Sequence, residues 1–236
     1  MNLIASWVVL DIEGTLTATS AVHVGLYDYA RPRLGPWIDA HPSDPQVRDA
    51  VARTKKLAGL PESAGTAEVV EVLHGWMAAD EKIAPLKTLQ GLIWQRGYAS
   101  GELITEFFPD VAPALRTWHA DGLRLAVFSS GSVAGQVASF SRTTDGDVTG
   151  LFSRHFDTVN AGPKREASSY RAMASELDTD PGGIVFLSDV PAELDAAAGA
   201  GWQTVGVARP GEPYADADFG PHRTIRSFAE IRITRG

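Results

Sequence analysis

Ile4-Ala5-Ser6-Trp7-Val8-Val9-Leu10-Asp11-Ile12-Glu13-Gly14-Thr15 decides the fold: an apolar, valine-rich run ends on two acids and a Gly-Thr turn. Such a run predicts a central parallel strand over residues 4–10, buried on both faces. Open α/β sheets bind their ligands at the carboxyl ends of strands, so Asp11 and Glu13 stand where chemistry is done. At i and i+2 they share one face if the strand continues. One acid can attack while the other handles a proton.

The 236 residues are 44% hydrophobic and 21% charged, enough for a core domain carrying a smaller insertion. Lys plus Arg number 21 against 29 Asp plus Glu, a net charge of -8 with no basic block, which argues against a nucleic-acid surface. An anionic substrate then needs local positive groups. The absence of cysteine excludes disulfides, thiolate nucleophiles and zinc-thiolate sites together. With no signal-like leader and no bilayer-length apolar run, the expectation is a cytoplasmic protein without membrane partners.

From about Thr17 to about Phe108 helix-period segments follow one another without a second valine-rich run. Pro42-Ser43-Asp44-Pro45 and Gly59-Leu60-Pro61 interrupt them, Ser63 to Thr66 offers a helix start, and Leu86, Leu89, Ile93 and Trp94 recur at helical spacing. From Pro109 strands and helices alternate. Val111, Leu115 and Trp118 mark a helix closed by Asp121-Gly122. Strands are expected at Leu123 to Phe128, Phe156 to Val159, Ile184 to Leu187 and Thr204 to Val207, with helices near Val133–Phe140, Ser168–Leu177 and Ala192–Ala200. The pattern is an α/β, doubly wound parallel sheet over 1–16 and 109–236, with a helical cap at 17–108 inserted after the first strand.

Three more polar stretches fall at predicted strand ends. Phe128-Ser129-Ser130-Gly131-Ser132 offers hydroxyls and helix-opening amides to an anion, although Ser and Gly there also make ordinary caps. Gly162-Pro163-Lys164 brings one lysine, and Leu187-Ser188-Asp189 closes a strand with Glu193 following. Each has a bland reading alone, as a cap or a solvated charge. All of them at one sheet edge fit phosphoryl transfer: Asp11 attacks phosphorus, a hard cation is held by Asp11 and Asp189, Ser129 and Lys164 grip phosphate oxygens, and Glu13 serves the leaving group.

These four motifs, in this order, resemble the haloacid dehalogenase superfamily of aspartate-nucleophile phosphatases. Within it, the DIEGT form, Gly162 to Tyr170, Phe186 to Glu193, Leu86 to Trp94 and Gly97 to Gly101 leading into Phe108-Pro109-Asp110-Val111 resemble the enolase-phosphatases, or acireductone synthases. The likeness covers nearly the whole chain. It implies a magnesium enzyme of methionine salvage that enolises 2,3-diketo-5-methylthiopentyl 1-phosphate and hydrolyses the phosphate, giving 1,2-dihydroxy-3-keto-5-methylthiopentene. The resemblance makes Asp11 nucleophile and metal ligand, and gives Glu13 a backbone carbonyl on Mg2+ and a side chain for acid–base work. It makes Ser129 and Ser130 phosphate ligands, Lys164 a partner of phosphate and Asp11, and Asp189 a metal ligand. Glu193 is expected one layer out, orienting water on the metal. A monomer acting on a small phosphorylated molecule is expected.

One stretch departs from the family pattern: Leu16-Thr17-Ala18-Thr19-Ser20-Ala21-Val22-His23-Val24 stands where Thr and then Pro-Ile-x-Phe-Val are usual. That difference bears on substrate choice rather than phosphoryl chemistry. His23 is a candidate substrate contact, and Trp94 and Tyr98 either face the substrate tail or pack the cap helices. Competing readings are a phosphatase of another small phosphometabolite and a non-catalytic binding module. The second should have lost Asp11 or Asp189, and both are present. A phosphonate-cleaving relative needs a Schiff-base lysine, and Lys55, Lys56, Lys82 and Lys87 read as solvated helix charges. Neither a G-x-G-x-x-G nor a Walker-type phosphate loop follows a strand.

Overall fold

A computed structural model describes residues 1–236 apart from Lys82 and the side chain of His23, so the readings of those two side chains lie outside the described residues. In chain order the strands are β1 (Asn2–Ala5), β2 (Trp7–Leu10), β3 (Arg124–Phe128), β4 (Phe152–Phe156), β5 (Ile184–Ser188), β6 (Gln203–Val207), β7 (Arg223–Ile225) and β8 (Arg232–Arg235). The α-helices are α1 (Tyr27–Ala30), α2 (Leu34–Ala40), α3 (Pro45–Ala58), α4 (Thr66–Ala78), α5 (Ala84–Ser100), α6 (Val111–Ala120), α7 (Val133–Phe140), α8 (Ala167–Glu176) and α9 (Pro191–Gly199). The chain divides into two compact units, Met1–Ala21 with Ile104–Gly236, and Val22–Leu103, the latter lying inside the expected 17–108.

In the first unit a six-stranded parallel sheet runs in the order β4-β3-β2-β5-β6-β7. Alternation along β2 sends Val8 and Leu10 to one face, where Val111, Leu115 and Trp118 of α6 and Phe140 of α7 cover them. Trp7 and Val9 face the other way, against Tyr170 and Met173 of α8 and Leu194 and Ala197 of α9. Helices on both faces of parallel strands make the sheet doubly wound.

The run 4–10 is two strands rather than one. The chain bends at Ser6, whose N–H donates to Gly183 O at 2.7 Å and whose carbonyl accepts from Arg124 N at 3.1 Å. Before the bend, β1 leaves the main sheet and pairs in parallel with β8, a C-terminal strand that the sequence reading omitted along with β7. The strand expected at Phe156 to Val159 is displaced: β4 ends at Phe156, and Val159 lies in a turn, 90% exposed.

The second unit packs α1 to α5 around Leu34, Val69, Leu73, Leu86, Leu89 and Ile93. Asp44 caps α3 by accepting from Gln46 N at 2.7 Å, and Glu68 closes back on Gly65 N at 2.8 Å to start α4. Tyr98 is buried, and Trp94, packed against this core, donates its indole N–H to Leu26 O at 2.8 Å, so Trp94 serves the packing of these helices. Among the described residues no helix is long and apolar enough to cross a membrane.

Candidate active site

Parallel registry of β2 with β5 sets Leu10 beside Leu187, and Asp11 N continues the ladder onto Leu187 O at 3.0 Å. Asp11 and Asp189 therefore emerge from adjacent strand ends. Beyond Asp11 the strand stops. Ile12 O accepts from Thr15, Leu16 and Thr17 N–H groups, so Glu13 rides a tight turn instead of sharing a strand face with Asp11. Gly14 is required twice over: its φ is +69°, and a Cβ there would lie 2.2 Å from Asp189 Oδ2. Thr15 Oγ1 accepts from Asp189 N at 3.1 Å, tying the turn to the backbone of Asp189.

Lys164 comes in from the loop after β4. Gly162 turns that loop with φ +102°, Ser169 Oγ donates to Pro163 O at 2.7 Å, and Tyr170 OH donates to Lys164 O at 2.8 Å. The buried ammonium donates to Asp11 Oδ1 and lies 2.7 Å from Glu193 Oε2. Burial opposes its charge, but Asp11 and Glu193 outweigh burial and hold its pKa well above the ordinary lysine value. Lys164 thus keeps its proton, which suits an electrostatic role. The Glu193 carboxylate pairs with Lys164 and accepts from Ser188 Oγ at 3.1 Å.

Burial, reinforced by Asp11 and Glu193, pushes the Asp189 carboxyl up to about 8. Its Oδ1 is buried without a hydrogen-bond partner. An orphaned buried carboxylate oxygen is costly, and here it has a physical use. Asp11, Asp189 and Glu193 face one ammonium, so the fully ionised cluster is short of positive charge by two, which a divalent cation would supply. Among the described residues no three His, Cys, Asp or Glu side chains form a metal cage by themselves. Two carboxylates completed by backbone oxygen, water and substrate phosphate suit Mg2+, which dehydrates reluctantly. The donor set fits the metal expected from the sequence.

Ser129 is buried just past the end of β3, the strand paired to β2 on its other side. Its Oγ accepts from Gly131 N at 3.3 Å, and Ser130 beside it is exposed. The start of α7 is not the bare anion cradle that the sequence suggested. Asp157 Oδ2 accepts from Val133 N at 3.0 Å, and Ser132 Oγ accepts from Gly135 N at 3.2 Å. The groups left to meet phosphate are those of the 129–131 turn. A cleft of about 810 Å³ opens at the opposite, amino end of β6 and β7, lined by Gln203, Thr204, Arg223 and Arg232, and holds none of the motif residues.

Residues 6–201 match the haloacid dehalogenase-like hydrolases. A protein of Saccharopolyspora erythraea called Enolase-phosphatase E1 is 70% identical over 98% of this chain and 97% of its own length. The chain belongs to the enolase-phosphatases of that hydrolase family. The Enolase-phosphatase E1 of Frankia alni is 55% identical over 97% of this chain and 96% of its own. The crystal structure of the UTR4 protein from Saccharomyces cerevisiae superposes with a TM-score of 0.77 at 27% identity, covering 96% of this chain and 99% of that one.

The chain is thus an enzyme, a phosphatase of the enolase-phosphatase type, and it departs from the usual pattern at 16–24. Leu16 is fully buried in the sheet core and Thr17 Oγ1 donates to Glu106 O at 2.7 Å, so these two positions are consumed by packing. Sequence reasoning missed Thr15 as a link to Asp189, Tyr170 as a support of Lys164, and Arg209. The last had a signal: Arg209 follows β6, another strand ending at the same edge.

Proposed function

We propose that Asp11, Glu13, Ser129, Ser130, Lys164 and Asp189 carry out the enolase-phosphatase reaction of methionine salvage on 2,3-diketo-5-methylthiopentyl 1-phosphate. The supporting observation is the buried cluster of Asp11, Lys164, Glu193 and Asp189 at the carboxyl ends of β2 and β5, with one carboxylate oxygen unpartnered. Asp11 attacks phosphorus to form an aspartyl-phosphate, dividing hydrolysis into two easier steps. Lys164 holds Asp11 in place and, with the 129–131 turn, meets the charge on the phosphoryl oxygens. Glu13, one methylene longer than aspartate, moves protons at the leaving group and at the substrate carbons.

Asp11, Asp189 and the Glu13 carbonyl would hold Mg2+, which when bound would supply charge neutralisation between nucleophile and phosphate dianion. Glu193 keeps Lys164 in position. The protein acts as a monomer in this reading. The test offers purified protein and Mg2+ the diketone phosphate beside sugar and acid phosphates, following phosphate release and the ultraviolet absorbance of an enolic product. Phosphate release with enol absorbance from the diketone alone is expected. Release without enol absorbance would make the chain a simple phosphatase.

A further inference from the structure

Arg209 lies outside the four motifs, yet it is only 4% exposed, in the loop after β6. Asp110 holds its Nη1 at 2.9 and 3.1 Å and also accepts from Ser227 Oγ at 2.8 Å and from Phe228 N. The guanidinium lies 4.2 Å from the Phe108 ring centre and 4.8 Å from that of Phe228. An ion pair serving only to join the start of α6 to the loop after β6 would stop there. Instead Arg209 Nε donates to Thr15 O at 2.8 Å.

Thr15 has two ends in use. Its carbonyl is held by Arg209, and its hydroxyl accepts from Asp189 N at 3.1 Å. The neighbouring Gly14 backbone packs directly on the Asp189 carboxylate. A single planar cation, fixed by Asp110, therefore reaches through one residue both the turn that follows Asp11 and the backbone N–H of Asp189 at the end of β5. We propose that Arg209 is a positioning residue that sets the spacing between the Asp11–Thr15 turn and Asp189, and with it the affinity of the site for its divalent cation. This rests on reading that site as a Mg2+ site.

Lysine at 209 keeps the charge, but a flexible point ammonium cannot serve Asp110 and the Thr15 carbonyl as a rigid fork does. Groups bonded directly to metal ligands typically change metal affinity by about 10- to 100-fold when removed, and Arg209 acts one link further out through Thr15, so Arg209→Lys should weaken Mg2+ binding by a smaller factor, roughly three- to tenfold. The experiment compares full-length wild type and Arg209→Lys by calorimetric titration with Mg2+, by melting in chelator, and by kcat and KM for phosphate release. The expected result is a folded variant with weaker Mg2+ binding and lower kcat, and a nearly unchanged KM for the phosphate ester. If Arg209→Lys does not fold, Ser227→Ala loosens Asp110 and should shift Mg2+ affinity the same way by a smaller factor. A lower melting temperature with unchanged Mg2+ affinity means a merely structural role and overturns the proposal. So does unchanged affinity in Ser227→Ala where that variant is the one tested, or a wild type that binds no Mg2+. Wild type that binds Mg2+ but yields neither phosphate nor enol defeats the enolase-phosphatase reading, while the Mg2+ comparison still judges Arg209.

Discussion

Two ionic clusters flank the same turn after β2, and they differ in their balance of charge. On one side Asp11, Asp189 and Glu193 share a single ammonium, and Asp189 Oδ1 has no partner. On the other, Asp110 and Arg209 match one to one, with Ser227 and Phe228 adding donors to the carboxylate. Burial pushes Asp189 up, whereas for Asp110 burial is outweighed by Arg209 and the Phe228 and Ser227 bonds, which hold its carboxyl below the ordinary range. Each cluster leaves one buried polar atom without a partner, Asp189 Oδ1 in the first and Arg209 Nη2 in the second, so the difference lies in charge. The balanced cluster is a brace, and the one with excess negative charge is poised to take up positive charge.

The largest effect should come from the nucleophile. Asp11→Asn should cut phosphate release by a factor on the order of 10⁴ or more while the chain stays folded, because an amide cannot form the acyl-phosphate. Steady-state phosphate assay beside circular dichroism checks this. Asp189→Ala should come next, raising the Mg2+ needed for half-maximal activity by at least about 10²-fold, since it removes a ligand outright. Because it also removes a buried unpartnered carboxylate, the metal-free variant should melt no lower than wild type. Glu193→Gln keeps a group for Ser188 but removes one of the two charges on Lys164, so kcat should fall roughly tenfold with KM little changed.

The smallest effect is on stability against pH, where the two clusters should differ in sign. Asp110 is held below its unfolded value, so its contribution is complete above about pH 4 and is lost as the pH falls through its folded value. Asp189 in metal-free protein keeps a proton that the unfolded chain releases, so its contribution worsens from about pH 4 to about 8. Melting curves across this range, with chelator and with Mg2+, should show Mg2+ relieving the alkaline decline and leaving the acid decline unchanged. Equal relief of both limbs would erase the distinction.

Most of the site was legible because its residues end strands that are buried on both faces. β3, β5 and β6 read as apolar runs, and α7 has the bounds that its pattern predicts. The elements that escaped are short or lie at edges. In β4, Phe-Ser-Arg-His-Phe, three polar residues separate the two phenylalanines, in β8, Arg-Ile-Thr-Arg, isoleucine is the one apolar residue, and β7 has three residues. The bend at Ser6 has no local signature, since its backbone groups are satisfied by Gly183 and Arg124 far along the chain. Asp110 and Arg209 escaped for the same reason: 99 residues apart, they become a pair only once the sheet brings their loops together.

The most direct measurement is acid quench of the working enzyme within its first turnovers on the diketone phosphate, followed by reduction with tritiated borohydride, which expels phosphate from an aspartyl-phosphate and leaves tritium on the homoserine formed, and peptide mapping of that label. With Mg2+ present, the label should lie on the peptide containing Asp11 and be absent from Asp11→Asn. Label on any other residue, or full turnover with none on Asp11, would contradict the assignment of Asp11 as the nucleophile.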